Sequence, residues 1–145
     1  MTFVLDAALA LAFCFRDEAT PFTESVLDSL QKTRAVVPAI WIYEVANGLV
    51  MGERRKRVKG REVRELLAFL QALPVDVQPL PGALDAAAGA LQSIASEHGI
   101  TAYDAAYLEL AARLDLPLAT LDGEDRRSAL KQAAASAGVR LHASG

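Results

Sequence analysis

Phe3-Val4-Leu5-Asp6 is a short apolar run that ends in an acid. A run this brief and this uniformly apolar suits a strand buried on both faces rather than a helix. Pro117-Leu118-Ala119-Thr120-Leu121-Asp122 repeats the pattern near the other end, again with an aspartate directly after the apolar stretch. Between them, Ala35-Val36-Val37 reads as a strand stopped by Pro38, Val75 to Leu80 alternates like a strand, and Val139-Arg140-Leu141 reads as a last one. Helices fill the intervals. Ala7–Phe15 follows the first strand, and Thr20-Pro21 opens the next helix with a capping hydroxyl and a proline suited to the first turn. A long helix is predicted from Ala39 to about Arg55. Another covers Arg61–Leu73, with Val63, Leu66, Leu67 and Leu70 inward. An Ala-rich helix covers Ala83–Glu97. Thr101 caps one reaching Leu114, and a final helix ends near Ala137 with Gly138 as its cap.

Strands alternating with helices predict an α/β fold, a largely parallel sheet covered by helices on both faces. Right-handed crossovers put the carboxyl ends of the strands on one rim, where open α/β sheets bind their ligands. Asp6 and Asp122 fall on that rim. Glu44 and Asp104, near helix starts, can point to the same place. Glu44 lies in Ile42-Tyr43-Glu44-Val45-Ala46-Asn47, and Asp104 in Ala102-Tyr103-Asp104-Ala105-Ala106-Tyr107. Each has a plain structural explanation: Asp6 as a helix cap, Asp122-Gly123 as a turn, Asp104 as half of a capping box with Thr101, Glu44 as a solvated side chain. Taken together, they are four acids among apolar neighbours with few bases near them. Buried carboxylates need a partner or a cation, so the set predicts a site for divalent metal held by oxygen ligands.

The 145 residues fit one domain, residues 1–145, and the 52% apolar and 23% charged content is that of a globular chain. The lone Cys14, among Phe13 and Phe15, excludes an internal disulfide and reads as a small hydrophobe. The apolar start lacks a basic leader and is interrupted by Asp6, so a signal peptide is not expected. No run is long enough for a membrane span, and a cytoplasmic location is expected. Net charge is −3, unevenly spread: residues 54–64 hold seven of the 15 basic residues against Glu62 alone and carry +6. Arg54, Arg55, Lys56, Arg57 and Lys59 are thus candidates for a phosphate-bearing partner, although on charge alone a solvated helix–helix turn is the simpler explanation. His98 and His142 lack motif context.

The order apolar strand–Asp6, Glu44-Val45-Ala46-Asn47, Tyr103-Asp104-Ala105-Ala106-Tyr107 and Thr120-Leu121-Asp122 resembles the PIN-domain ribonucleases. It is most similar to the VapC-type toxins of bacterial toxin–antitoxin pairs, over residues 3 to about 141. The resemblance implies a three-layer α/β/α sandwich. It also implies endonucleolytic cleavage of RNA dependent on Mg²⁺ or Mn²⁺, with Asp6, Glu44, Asp104 and Asp122 as catalytic and metal-binding residues. Thr120 and Asn47 match supporting positions, and Asp125 is a nearby acid that can act through water. A homodimer and a small antitoxin partner are further implications. The chain departs from the family at Ala8, where a serine is usual. That departure supports a second reading: a PIN-like scaffold that binds metal or a protein partner without efficient cleavage. Ala8 also argues against a phosphoaspartyl phosphatase, which needs an aspartate there.

Overall fold

The computed structural model describes residues 1–121 and 129–142. Four strands form one sheet: β1 (Phe3–Leu5), β2 (Ala35–Pro38), β3 (Val75–Gln78) and β4 (Leu118–Ala119). The order is β3-β2-β1-β4 and every pairing is parallel. Helices flank this sheet: α1 (Ala7–Ala12), α2 (Pro21–Ser29), α3 (Ile40–Arg54), α4 (Gly60–Ala72), α5 (Leu84–His98), α6 (Ala102–Leu114) and α7 (Ala129–Ser136). The result is the α/β/α arrangement the sequence predicts. Among the described residues no helix is long and apolar enough to cross a membrane.

The sheet core is β1, which is fully buried, with Phe3, Val4 and Leu5 at 0% exposure. From β1 the chain builds outward through β2 to β3, then returns to the other side of β1 as β4. The crevice beyond the ends of β1 and β4 is therefore the point at which strand order reverses. The Asp6 N–H donates to the Ala119 carbonyl at 2.9 Å, which joins these two strand ends at that crevice.

Local chemistry explains the element boundaries. The Thr20 hydroxyl accepts from the Thr23 N–H and the Thr23 hydroxyl accepts from the Thr20 N–H, with Pro21 opening α2. Gly99 and Gly138 adopt positive φ, 66° and 73°, after α5 and α7. Two glycines on α3 let it approach α1 closely. A Cβ at Gly48 would collide with the Leu11 side chain, and one at Gly52 would sit 3.1 Å from the Phe15 ring. A mid-helix glycine costs about 1 kcal/mol relative to alanine. Close helix packing offsets it here and fixes α1, which follows Asp6, against α3, which carries Glu44.

Several expectations need correction. The first helix stops at Ala12 rather than Phe15. Phe15 is extended instead, with φ −117° and ψ 116°, and Arg16–Glu18 form a 3-10 turn. The last strand reduces to a single bridge, Leu141 with Leu118, flanked by hydrogen bonds from Leu118 to Arg140 and from His142 to Leu118. Leu67, expected inward on α4, is 46% exposed, and Leu70 carries that contact. The neighbours of Glu44 are less buried than the sequence suggests. On α3 the core takes Trp41, Val45 and Leu49, while Ile42 and Tyr43 face outward.

Candidate functional site

Asp6 is the hinge of the site. It stands between β1 and α1, only 8% exposed. Its Oδ1 accepts the Ala8 N–H at 2.6 Å and so caps α1. Its Oδ2 accepts the Thr120 hydroxyl at 2.5 Å, from just past β4. Thr120 is itself 2% exposed. The capping explanation for Asp6 therefore holds, and it is incomplete, because one oxygen serves the cap and the other is oriented from a strand on the opposite side of the crevice.

Glu44 lies in the second turn of α3, half-buried. Its Oε1 accepts the Tyr107 hydroxyl at 2.9 Å. The Tyr107 ring is in the core at 1% exposure, so its hydroxyl is delivered from beneath the site. Tyr107 lies three residues after Asp104 on α6, on the same side of that helix. Asp104 is partly buried in the first turn of α6, where its N–H is held by the Thr101 hydroxyl at 3.1 Å. α6 therefore contributes two groups, Asp104 and Tyr107.

The electrostatics show that these acids share one environment. Burial holds the Glu44 carboxyl above its ordinary range. The bond from Tyr107 acts against this, and the charges of Asp6 and Asp104 push the carboxyl further up. Burial also drives the Tyr107 phenol strongly upward, with Glu44 and Asp6 adding to the shift and the Ala7 amide opposing it. Tyr107 therefore stays protonated and acts only as a donor to Glu44. Among the described residues no three acidic, histidine or cysteine side chains close into a cation cage by themselves. The donor set is nonetheless all oxygen, and like charges crowd a half-buried carboxyl. A hard divalent cation would relieve that crowding, so the residues present fit such a group.

The remaining sequence candidates fall in different places. Asp122 and Asp125 lie outside the described residues. Asn47 is exposed and its side chain makes no hydrogen bond among the described residues, although it shares a helix face with Glu44. Arg54, Arg55, Lys56 and Lys59 are exposed around the turn after α3. Arg57 is committed to the fold: its guanidinium bonds Asp17 at 2.8 Å and Glu18 at 3.0 Å, and stacks 4.1 Å from the Phe15 ring centroid. His142 stacks on Phe3 with ring centroids 4.4 Å apart, away from the acids. Tyr107 is the supporting residue that sequence reasoning left out of the site. Its signal was present, an aromatic one turn beyond Asp104, but that pattern reads first as core.

Comparison with known proteins bears on this arrangement. A model of the PIN domain family matches residues 3–131. The chain is 32% identical over 128 residues to Ribonuclease VapC3 of Pyrobaculum aerophilum, covering 84% of this chain and 90% of that protein. Among solved structures, FitAcB from Neisseria gonorrhoeae superposes with a TM-score of 0.64 at 20% identity, covering 99% of this chain and 98% of that one. PAE2754 from Pyrobaculum aerophilum gives 0.58 at 24% identity, with 91% and 79% covered. The likeness to these two structures is one of fold.

Proposed function

The chain belongs to the PIN-domain family, and from that premise we propose that it is a divalent-metal-dependent endoribonuclease, the toxin of a toxin–antitoxin pair. The observation that supports this reading is that the charges of Asp6, at the end of β1, and Asp104 both act on Glu44, with Asp6 and Glu44 oriented by the Thr120 and Tyr107 hydroxyls. Ribonuclease VapC3, the relative at 32% identity, supports RNA as the substrate.

Asp6, Glu44, Asp104 and, beyond the described residues, Asp122 would hold Mg²⁺ or Mn²⁺. When bound, such a cation supplies a water of lowered pKa and positive charge for the leaving oxygen. The chain's own residues do the positioning. The Thr120 hydroxyl and the Ala8 amide fix the two oxygens of Asp6, so its carboxylate plane is set before any ligand arrives. Tyr107 fixes Oε1 of Glu44, and Oε2 accepts no hydrogen bond among the described residues. An acidic pocket repels an RNA backbone, so substrate entry depends on charge cancellation there and on basic residues at its margin.

Ala8 is the residue that favours the weaker reading, a scaffold without efficient cleavage. The geometry reduces its weight, because the Thr120 hydroxyl already orients Asp6 and the position-8 backbone supplies the second bond. The decisive assay is cleavage of single-stranded RNA with Mn²⁺ by the parent and by Asp6→Asn, each purified and shown folded by circular dichroism. The parent is expected to cut, and Asp6→Asn to lose at least about 100-fold, as enzymes do when a charge-stabilising group is removed from the reacting centre. Equal cleavage by both forms would remove Asp6 from the chemistry. Binding without cleavage by the parent would leave the scaffold reading. The exposed Ile42 and Tyr43 on α3 support self-association of this chain or contact with a small antitoxin, aromatics being enriched at interfaces. Light scattering and co-purification test these two partners.

A further inference from the structure

Along α3, Glu44, Gly48, Gly52 and Arg55 follow one another at spacings of four, four and three, and so form one stripe. Glu44 heads this stripe at the acidic crevice. Arg55 ends it, roughly 16 Å further along the helix axis. Beyond Glu44 the stripe borders a groove of about 210 Å³ between α1 and the C-terminal half of α3, lined by Ala8 and Leu11 on one side, by Gly48, Gly52 and Arg55 on the other, and by the Glu18–Arg57 pair at its far end. Ala8 is also the residue whose amide bonds Asp6, so the groove begins beside the crevice.

The two arginines at the far end have different roles. Arg57 is tied to Asp17 and Glu18 and stacked on Phe15, so its charge is spent within the fold. Arg55 is exposed and makes no ion pair among the described residues. Its backbone N–H is held by the Met51 carbonyl at 2.9 Å, and the next turn is closed by the Arg57 N–H on the Gly52 carbonyl at 2.8 Å. The Arg57 clamp thus fixes the turn that presents Arg55.

We propose that the α1–α3 groove is a subsite for the single-stranded RNA backbone, with Arg55 binding a phosphate a few nucleotides from the cleaved bond and Arg57 acting as its positioning residue. The proposal rests on the ribonuclease reading for its choice of occupant. Charge complementarity supports that choice: with Glu18 taken by Arg57, the exposed Arg55 guanidinium, in a segment of charge +6, stands at one end of a groove whose Ala8 end adjoins Asp6. An arginine fork matches the geometry of a phosphate.

The test measures binding of a labelled single-stranded oligoribonucleotide in EDTA over a range of salt, so that its outcome does not depend on cleavage. For single strands, each phosphate contact contributes about 0.7 to the slope of log K against log salt. Arg55→Ala is expected to lower that slope by about 0.7 and to weaken binding about tenfold at low salt, whereas Lys32→Ala, the same charge change at a distant exposed site, leaves the slope unchanged. Arg57→Ala is expected to weaken binding in the parent and to add little in the Arg55→Ala background, a non-additivity that simple loss of a second phosphate contact would not give. An unchanged slope in Arg55→Ala overturns the proposal. So does equal loss from Lys32→Ala, and so does release of a co-purifying protein by Arg55→Ala with the RNA slope intact, which would assign the groove to a peptide. A parent that binds RNA through Arg55 but never cuts it with Mn²⁺ would keep the subsite and end the nuclease reading. A parent that cuts RNA without any Arg55 dependence would do the reverse.

Discussion

Glu44 and Asp76 are both carboxylates bonded by a single donor side chain, yet their surroundings have opposite sign. Asp76, on the edge strand β3, takes both arms of the Arg34 guanidinium, at 2.9 and 2.6 Å. That bond holds its carboxyl below the ordinary range. Glu44 takes one neutral phenol, has no basic partner among the described residues, and is pushed up by burial and by two further acids. Arginines stand at the far end of the same helix, Arg54 as its last residue and Arg55 just past it. The chain thus pairs Asp76 with a guanidinium at the sheet edge and gives Glu44 a neutral phenol beside two further acids at the crevice. A carboxyl raised by burial and by like charge is costly in the free protein and favourable to a cation, so Glu44 and Asp76 should respond differently to metal, to mutation and to pH.

Metal should separate them most. A cation that binds only the folded state stabilises it by RT ln(1 + [L]/Kd), about 2.7 kcal/mol at 100 times its Kd. Thermal melting in EDTA and in millimolar Mn²⁺ is expected to differ by several degrees for the parent. The shift is expected to survive Asp76→Asn unchanged and to shrink in Glu44→Gln. A shift that persists in full in Glu44→Gln would place the cation elsewhere.

Tyr107→Phe comes next. It removes the one donor to Glu44 while keeping the ring that fills the core. A hydrogen bond to a charged group is worth about 1.5–3 kcal/mol. For a chain of this length that corresponds to a melting point lower by about 5–10 °C. The same variant should show a Glu44 carboxyl raised further, since the lost bond was the one influence pulling it down. A melting point within a degree of the parent would mean that the phenol contributes packing alone.

These two residues also show where the sequence stops being readable. Strand β1, the Thr20-Pro21 start of α2 and the glycine ends of α5 and α7 are local: a few adjacent residues dictate them, and the structure agrees. Asp6, Glu44 and Asp104 could be nominated because each is an acid in an apolar setting, which is again a local oddity. Tyr107 could not be nominated the same way, because its ring belongs to the core and only its hydroxyl serves Glu44. Phe15 and Arg57 fail for a different reason. Arg57 finds Asp17 and Glu18 about 40 positions away in sequence. Phe15 leaves the helical path to pack against Gly52 and that same guanidinium. No window of sequence contains both ends of these contacts, so the first helix reads three residues too long and the basic turn reads as if all its charges were free.

Glu44→Gln in the absence of metal is expected to have a smaller effect, and one that depends on pH. A carboxyl raised in the folded state favours folding when protonated. Its stabilising contribution is therefore complete below its unfolded value of 4.5 and is lost as pH rises through the folded value. At neutral pH in EDTA the ionised Glu44 is a cost, so Glu44→Gln should melt slightly higher than the parent, by no more than about 1 kcal/mol because the site is half open to solvent. At pH 4 the advantage should vanish. An advantage that is constant across pH would trace to packing and not to charge.

Asp76→Asn should give the smallest effect, with the opposite dependence. Arg34 lowers the folded carboxyl value, so the pair contributes stability at neutral pH, above the ordinary aspartate value of 3.8, and loses it as pH falls through the lowered folded value. Both side chains are largely solvated, at 58% and 44% exposure, and water and salt screen the pair. Asp76→Asn should therefore lower the melting point only marginally at pH 7 and low ionic strength. The difference should close in half-molar salt and again at pH 3, while the Mn²⁺ shift stays that of the parent. If Asp76→Asn instead raised the metal-free melting point at neutral pH, as expected of Glu44→Gln, the neighbours of Asp76 would be dominated by like charge, and the contrast between Asp76 and Glu44 would fail at its first term.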